Sequence, residues 1–68
     1  MASTEFALGA IDRRAGRGYR SDYTTWSGNQ QWNYERGRAW ATTAPRSVPL
    51  KRNGKLTPAA LRFAGDII

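Results

Sequence analysis

The sequence predicts a mainly α-helical fold: one small domain, residues 1–68, with about three short helices and a short β-hairpin or turn around Asn53-Gly54. Three observations carry that expectation. Apolar residues recur at helical spacing near the N-terminus, Asn29 and Pro45 bracket a stretch with a cap at its start and a breaker at its end, and Thr57-Pro58 reads as a third helix start. With 68 residues and no cysteine or histidine, the chain has room for one core and lacks the disulfides and usual zinc sites that staple many mini-proteins. Stability then has to come from packed aromatics, from a partner or from self-association.

The first helix is expected from about residue 4 to 15. Ser3 or Thr4 can cap it, Glu5 lies favourably in its first turn, and Phe6, Ala7, Ala10, Ile11 and Ala15 approximate one face. Gly16 and Gly18 weaken its continuation. Residues 19 to 29 read as a short turn or ordered loop, because Thr24, Thr25, Ser27 and Gly28 oppose the helical spacing of Tyr19, Tyr23 and Trp26. Asn29 is expected to cap a second helix over Gln30 to Thr43, closed by Pro45 through its restriction of Ala44. On a helical wheel Tyr34, Gly37, Ala41 and Ala44 form one stripe, while Trp32 and Trp40 fall near each other on another side, so two contact surfaces are expected. Gly37 at the centre of its stripe suits either close approach of another backbone or a merely tolerated glycine.

Beyond Pro45, Val48 to Leu50 and Lys55 to Leu56 can flank a tight turn at Asn53-Gly54. The third helix would place Ala60, Leu61, Ala64 and Ile68 on one face. In a chain poor in Leu, Ile and Val, at least two of Trp26, Trp32 and Trp40 are expected in the core. Any tryptophan left exposed beside Arg36 or Arg38 becomes the leading hot-spot candidate for binding.

Function is read from charge and from absences. There are 11 basic and five acidic residues, a formal net charge of +6, and nine of the cations are arginine. That balance attracts polyanions and acidic protein surfaces. With no His or Cys, and with Glu5, Asp12, Asp22, Glu35 and Asp66 scattered, catalysis is not expected; Asp12-Arg13 and Glu35-Arg36 read as solvated charge pairs. Catalytic, cofactor-binding and metal residues are accordingly assigned to none. No apolar run is long enough to span a bilayer and the N-terminus lacks signal-peptide character, so a cytoplasmic protein is expected.

Partner-binding residues are expected in a first basic cluster, Arg13, Arg14, Arg17 and Arg20, in the pair Arg36 and Arg38, and in the aromatics Tyr23, Trp26 and Trp40. A second cluster, Arg46, Lys51, Arg52 and Lys55, offers phosphate contacts. Each cluster also has a plain reading, the first as a solvated helix end facing the dipole and the second as a basic, soluble turn.

The segment Trp32-Asn33-Tyr34-Glu35-Arg36-Gly37-Arg38-Ala39-Trp40-Ala41, followed by Leu50-Lys51-Arg52-Asn53-Gly54-Lys55, resembles a pattern in small uncharacterised proteins encoded by tailed bacteriophages. Tyr34 to Gly37 and the basic character are also similar to ribosome modulation factor. The phage resemblance implies a non-enzymatic protein that acts by occupying a host machine such as RNA polymerase, a nuclease or a defence complex. In that reading it is a stoichiometric modulator or inhibitor whose partner is an acidic surface of a host protein complex, located in the host cytoplasm. Direct, weakly sequence-specific DNA or RNA binding is the first alternative, and a self-associating structural virion protein the second.

Overall fold

Residues 3–64 are described by a computed structural model of the chain, with side chains described for residues 4–63. Helix α1, Ser3–Arg14, carries Glu5 in its first turn and Arg13 and Arg14 in its last, a charge order that suits the helix dipole. It ends in a Schellman motif. Gly16 takes φ 73°, its N–H bonds to the Arg13 carbonyl, and the Arg17 N–H reaches the Asp12 carbonyl at 2.9 Å. The caps expected at Ser3 or Thr4 fall at an end whose preceding residues and Ser3 side chain lie outside the described residues.

A single 3-10 turn, Tyr23–Thr25, interrupts the connection to helix α2, Gly28–Thr43. The cap of α2 differs from expectation. Ser27, not Asn29, holds the position: its hydroxyl accepts from the Gln30 N–H at 3.2 Å, and the Gln30 side chain accepts from the Ser27 N–H at 3.0 Å. This reciprocal box satisfies two otherwise open N–H groups, which Asn29 has no glutamine or glutamate at the right offset to do. At the other end Ala44 turns extended, ψ 134°, ahead of Pro45 as expected.

Helices α1 and α2 pack directly on each other, with Asp12 and Arg13 of α1 reaching Tyr34 and Thr42, two turns apart on α2. The contact is made by backbone. A Cβ on Gly37 would overlap the Phe6 carbonyl and stand 3.0 Å from the Ala10 nitrogen, and a Cβ on Gly9 would overlap the Tyr34 carbonyl. Of the two readings of Gly37, close approach is the one realised.

Two aromatic layers flank α2. On one side Phe6 and Trp40, with ring centroids 6.4 Å apart, form the main core with Ala10 and Ala60, joined by Val48, Leu50, Leu56 and Phe63. On the other, the buried Tyr34 is surrounded by Tyr19, Tyr23 and Trp26, the last edge-on at 5.2 Å. The tryptophans divide unequally: Trp40 is 3% exposed, Trp26 is half-buried, and Trp32 remains 45% exposed rather than joining Trp40. The wheel puts both on one flank, but α1 and the arm that follows α2 cover only the turn carrying Trp40.

Strands β1, Lys51–Arg52, and β2, Lys55–Leu56, pair antiparallel with Lys51 opposite Leu56 and Arg52 opposite Lys55. The ribbon begins later than the expected Val48 to Leu50. Asn53 at φ 54° and Gly54 at φ 77° form the two-residue turn with left-handed backbone that twisted hairpins favour. Thr57 fastens its base: its N–H bonds to the Leu50 carbonyl and its hydroxyl donates to the Pro49 carbonyl at 2.7 Å. Helix α3, Pro58–Ala64, begins at the proline as expected and buries Ala60, while Leu61 stays exposed. The Ala64 side chain and Ile68 lie outside the described residues.

Candidate functional site

The carboxylates decide which cations are available. Asp12 is buried, and three groups converge on it: the Tyr34 hydroxyl at 2.6 Å, the Arg20 fork at 2.9 and 3.1 Å, and the Arg17 guanidinium at 3.5 Å. Burial pushes this carboxyl up. The Tyr34 and Arg20 hydrogen bonds and the two positive charges outweigh it, holding Asp12 below the ordinary value of 3.8. Glu35 accepts from Tyr19 at 2.5 Å and from Tyr23 at 3.0 Å. The expectation that Asp12 and Glu35 pair with the arginines beside them is therefore corrected. Each is instead the acceptor of a long-range network, Asp12 in the interior and Glu35 at its margin.

The same network fixes the tyrosines. The hydrogen bond to Glu35, then desolvation, raises Tyr19 above its ordinary 10.0; burial first, then the carboxylate bond, raises Tyr23 and Tyr34. Each phenol is held as a donor.

The first basic cluster is engaged by the rest of the chain, with Arg14 and Arg20 half-buried and Arg13 and Arg17 exposed. Arg13 Nε donates to the Thr42 hydroxyl at 3.0 Å. Arg14 donates to the Pro45 and Val48 carbonyls at 3.1 and 2.6 Å and lies 4.5 Å over the Trp40 ring. Arg20 is committed to Asp12, and Arg38 donates to the Arg17 carbonyl while stacking on Tyr19 at 4.5 Å. Arg36 lies 4.1 Å over Phe63 and 5.8 Å over Trp32. Of the aromatics expected to anchor a partner, Tyr23 and Trp26 sit in the Tyr34 cluster and Trp40 in the main core. Arg17, with 65% of its side chain exposed, and Arg13 are the exposed cations of the run.

The second cluster is placed differently. Arg46 donates to the Arg14 carbonyl at 2.5 Å, which pins the start of the arm onto the end of α1 and makes the two basic clusters contiguous. Beyond it Lys51, Arg52 and Lys55 are all exposed, and among the described residues their side chains make no hydrogen bond or ion pair. The pleat assigns them. Leu56 packs toward the core, so its partner Lys51 shares that face, and Arg52 and Lys55 stand together on the opposite, solvent face. Directly opposed residues hold their Cβ atoms about 4.5–5.5 Å apart, and like charges so placed repel.

The sequence explains why, among the described residues, nothing neutralises this pair. From Arg36 to Ala64 there are seven cations and no carboxylate, and from Ala41 to Arg62 there is no aromatic residue. Asp66 lies outside the described residues. That carboxylate-free run is the signal that separates the two clusters, and residue-type clustering alone does not find it.

Among the described residues no group of three or more His, Cys, Asp or Glu is positioned to hold a metal ion, and no helix is long and apolar enough to cross a membrane. No match was found among family models, curated proteins or solved structures. The arrangement itself is chemically simple: a ribbon tip presents exposed cations, backed by a body whose arginines are held mostly by neutral acceptors and rings, with Arg17 and Arg20 paired to Asp12.

Proposed function

We propose that the chain is a small non-enzymatic binding protein that holds the phosphate backbone of a nucleic acid through its hairpin. The supporting observation is the Arg52–Lys55 pair, two cations opposed across a two-residue turn with no carboxylate partner among the described residues to relieve their repulsion. A phosphate between them converts that repulsion into two charge-assisted contacts. Lys51 on the other face and Arg46 at the root of the arm extend the positive surface. The resemblance to small phage proteins fits this reading, since a protein that occupies nucleic acid can modulate a host machine working on the same strand.

The test is a titration of fluorescently labelled nucleic acid with the purified protein at several salt concentrations. Log affinity should fall linearly with log salt, with a slope of about −3 for three or four phosphates neutralised. The triple reversal Lys51→Glu, Arg52→Glu, Lys55→Glu should weaken binding by at least about tenfold at about 50 mM salt without lowering the melting temperature. Unchanged binding by that variant would overturn the assignment.

A second reading, stoichiometric attachment to an acidic surface of a host protein complex, draws on the same cations together with the exposed Leu61 and Arg62 of α3. Capture from host lysate separates the two. A defined protein complex that survives nuclease treatment favours the second reading, and loss of the catch on nuclease treatment favours the first.

A further inference from the structure

We infer that the nucleic acid held by the hairpin is a duplex, gripped by its phosphates, and not a single strand with bases stacked on the protein. This rests on the nucleic-acid reading and deepens it. Proteins that hold single strands without sequence preference combine a basic groove with aromatic platforms on which successive bases stack. Here arginines Arg14, Arg36 and Arg38 lie over rings of the body, whereas the hairpin cations have no aromatic in their own stretch of chain.

The basic arm contains no aromatic residue between Ala41 and Arg62. Trp40, the nearest in sequence before it, is buried, and Arg14 covers its ring face at 4.5 Å. Phe6 and Tyr34 are fully buried, and Phe63, half-buried against the core, has Arg36 4.1 Å over its ring. Tyr23 and Trp26 have ring neighbours in the Tyr34 cluster. The exposed ring of Tyr19 is overlaid by Arg38, and its hydroxyl is bonded to the Glu35 carboxylate, a negative charge that repels an incoming phosphate. Trp32 is exposed on α2, outside the arm, with Arg36 5.8 Å from its ring, and is the aromatic whose removal the test below includes.

Duplex geometry suits what remains. A duplex presents one phosphate charge per about 1.7 Å of axis, so a compact group of cations meets several at once. The major groove of B-form DNA, about 12 Å wide, admits a two-stranded ribbon, and the strands of this one lie about 4.8 Å apart. Arg52 and Lys55 leave the ribbon on one face, toward one wall of such a groove. The A-form groove of an RNA duplex is deep and narrow, so there the same cations would meet phosphates from outside. The shared chemistry is a double-helical phosphate backbone.

The experiment compares four labelled probes of one length at one salt concentration: duplex DNA, duplex RNA, and an unstructured single strand of each. Tryptophan emission is recorded in the same titrations. The expected result is that one or both duplexes bind at least about tenfold more tightly than either single strand, with tryptophan emission unchanged and the Trp32→Leu variant binding as the parent does. The better duplex identifies the form preferred. Single strands that bind as tightly as duplexes, or quench tryptophan through stacking, overturn the inference while leaving the nucleic-acid reading intact. If none of the four probes binds at low salt, the nucleic-acid reading itself falls.

Discussion

Around the contact of α1 and α2, every arginine from Arg13 to Arg20 is engaged by another part of the chain: Arg13 by Thr42, Arg14 by two carbonyls and Trp40, and Arg17 and Arg20 by Asp12. On the hairpin, Lys51, Arg52 and Lys55 are exposed and unneutralised among the described residues. The two regions draw on the same residue types. They differ in what surrounds the charge: the helix contact holds Asp12 and Glu35 with three tyrosine donors, whereas the arm has neither carboxylate nor aromatic. Positive charge near a buried acceptor becomes part of the fold, and positive charge beyond reach of one stays available to a ligand.

The contrast can be broken most forcefully at the helix contact itself. Gly37→Ala drives a methyl into the Phe6 carbonyl, and because backbone on both sides cannot yield, it should cost about 3 kcal/mol or more. In so small a domain this lowers the thermal midpoint by at least about 12 °C, which circular dichroism would register. Asp12→Asn comes next. It leaves Arg20 and Arg17 without their countercharge and should cost about 2 kcal/mol by urea denaturation near neutral pH, the partial exposure of Arg20 keeping the figure modest. Since Asp12 is held below 3.8, its contribution is complete above that value and disappears as pH falls through the lower folded value. The parent and Asn curves should therefore converge in acid.

The alkaline side tests the tyrosines. Tyr19, Tyr23 and Tyr34 are raised above 10.0, so the unfolded chain loses its phenolic protons first and stability falls as pH rises beyond that value. The double variant Tyr19→Phe, Tyr23→Phe should be about 1 kcal/mol less stable at neutral pH and show a shallower alkaline decline. The smallest effect has the opposite sign. Arg52→Glu replaces a repelling cross-strand pair with an attractive one and should stabilise the fold by about 0.5 kcal/mol while weakening nucleic-acid binding. Loss of stability in that variant would mean that Arg52 belongs to the fold after all.

Much of the architecture was legible because local chemistry decides it. Gly16, Pro45, Thr57-Pro58 and Asn53-Gly54 set the ends of α1, α2, α3 and the turn through backbone preferences that need no tertiary information. Ser27 was also legible, since Gln30 stands at the capping-box offset, but Asn29 is an equally good isolated cap and competes with it. The partners of Asp12 and Glu35 were not legible. They depend on the chain doubling back after Gly16 so that Arg20 returns to Asp12 and Tyr19 and Tyr23 meet α2. Likewise a wheel places Trp32 and Trp40 on one flank without saying how far along it the neighbouring elements reach. The candidate cations of the hairpin could be found by clustering, but their distinction from Arg13 to Arg20 required knowing where the carboxylates lie.

The glycine contact between the helices also limits how the protein can change over time. A side-chain contact can be rescued by a second substitution that restores shape, as when one core residue shrinks and its neighbour grows. The Gly37–Phe6 contact meets a carbonyl that every amino acid carries, so no replacement at position 6 makes room. Selection for suppressors of Gly37→Ala should return glycine at 37 and no compensating change at Phe6 or Ala10, whereas the hairpin charges can drift freely wherever binding is not under selection.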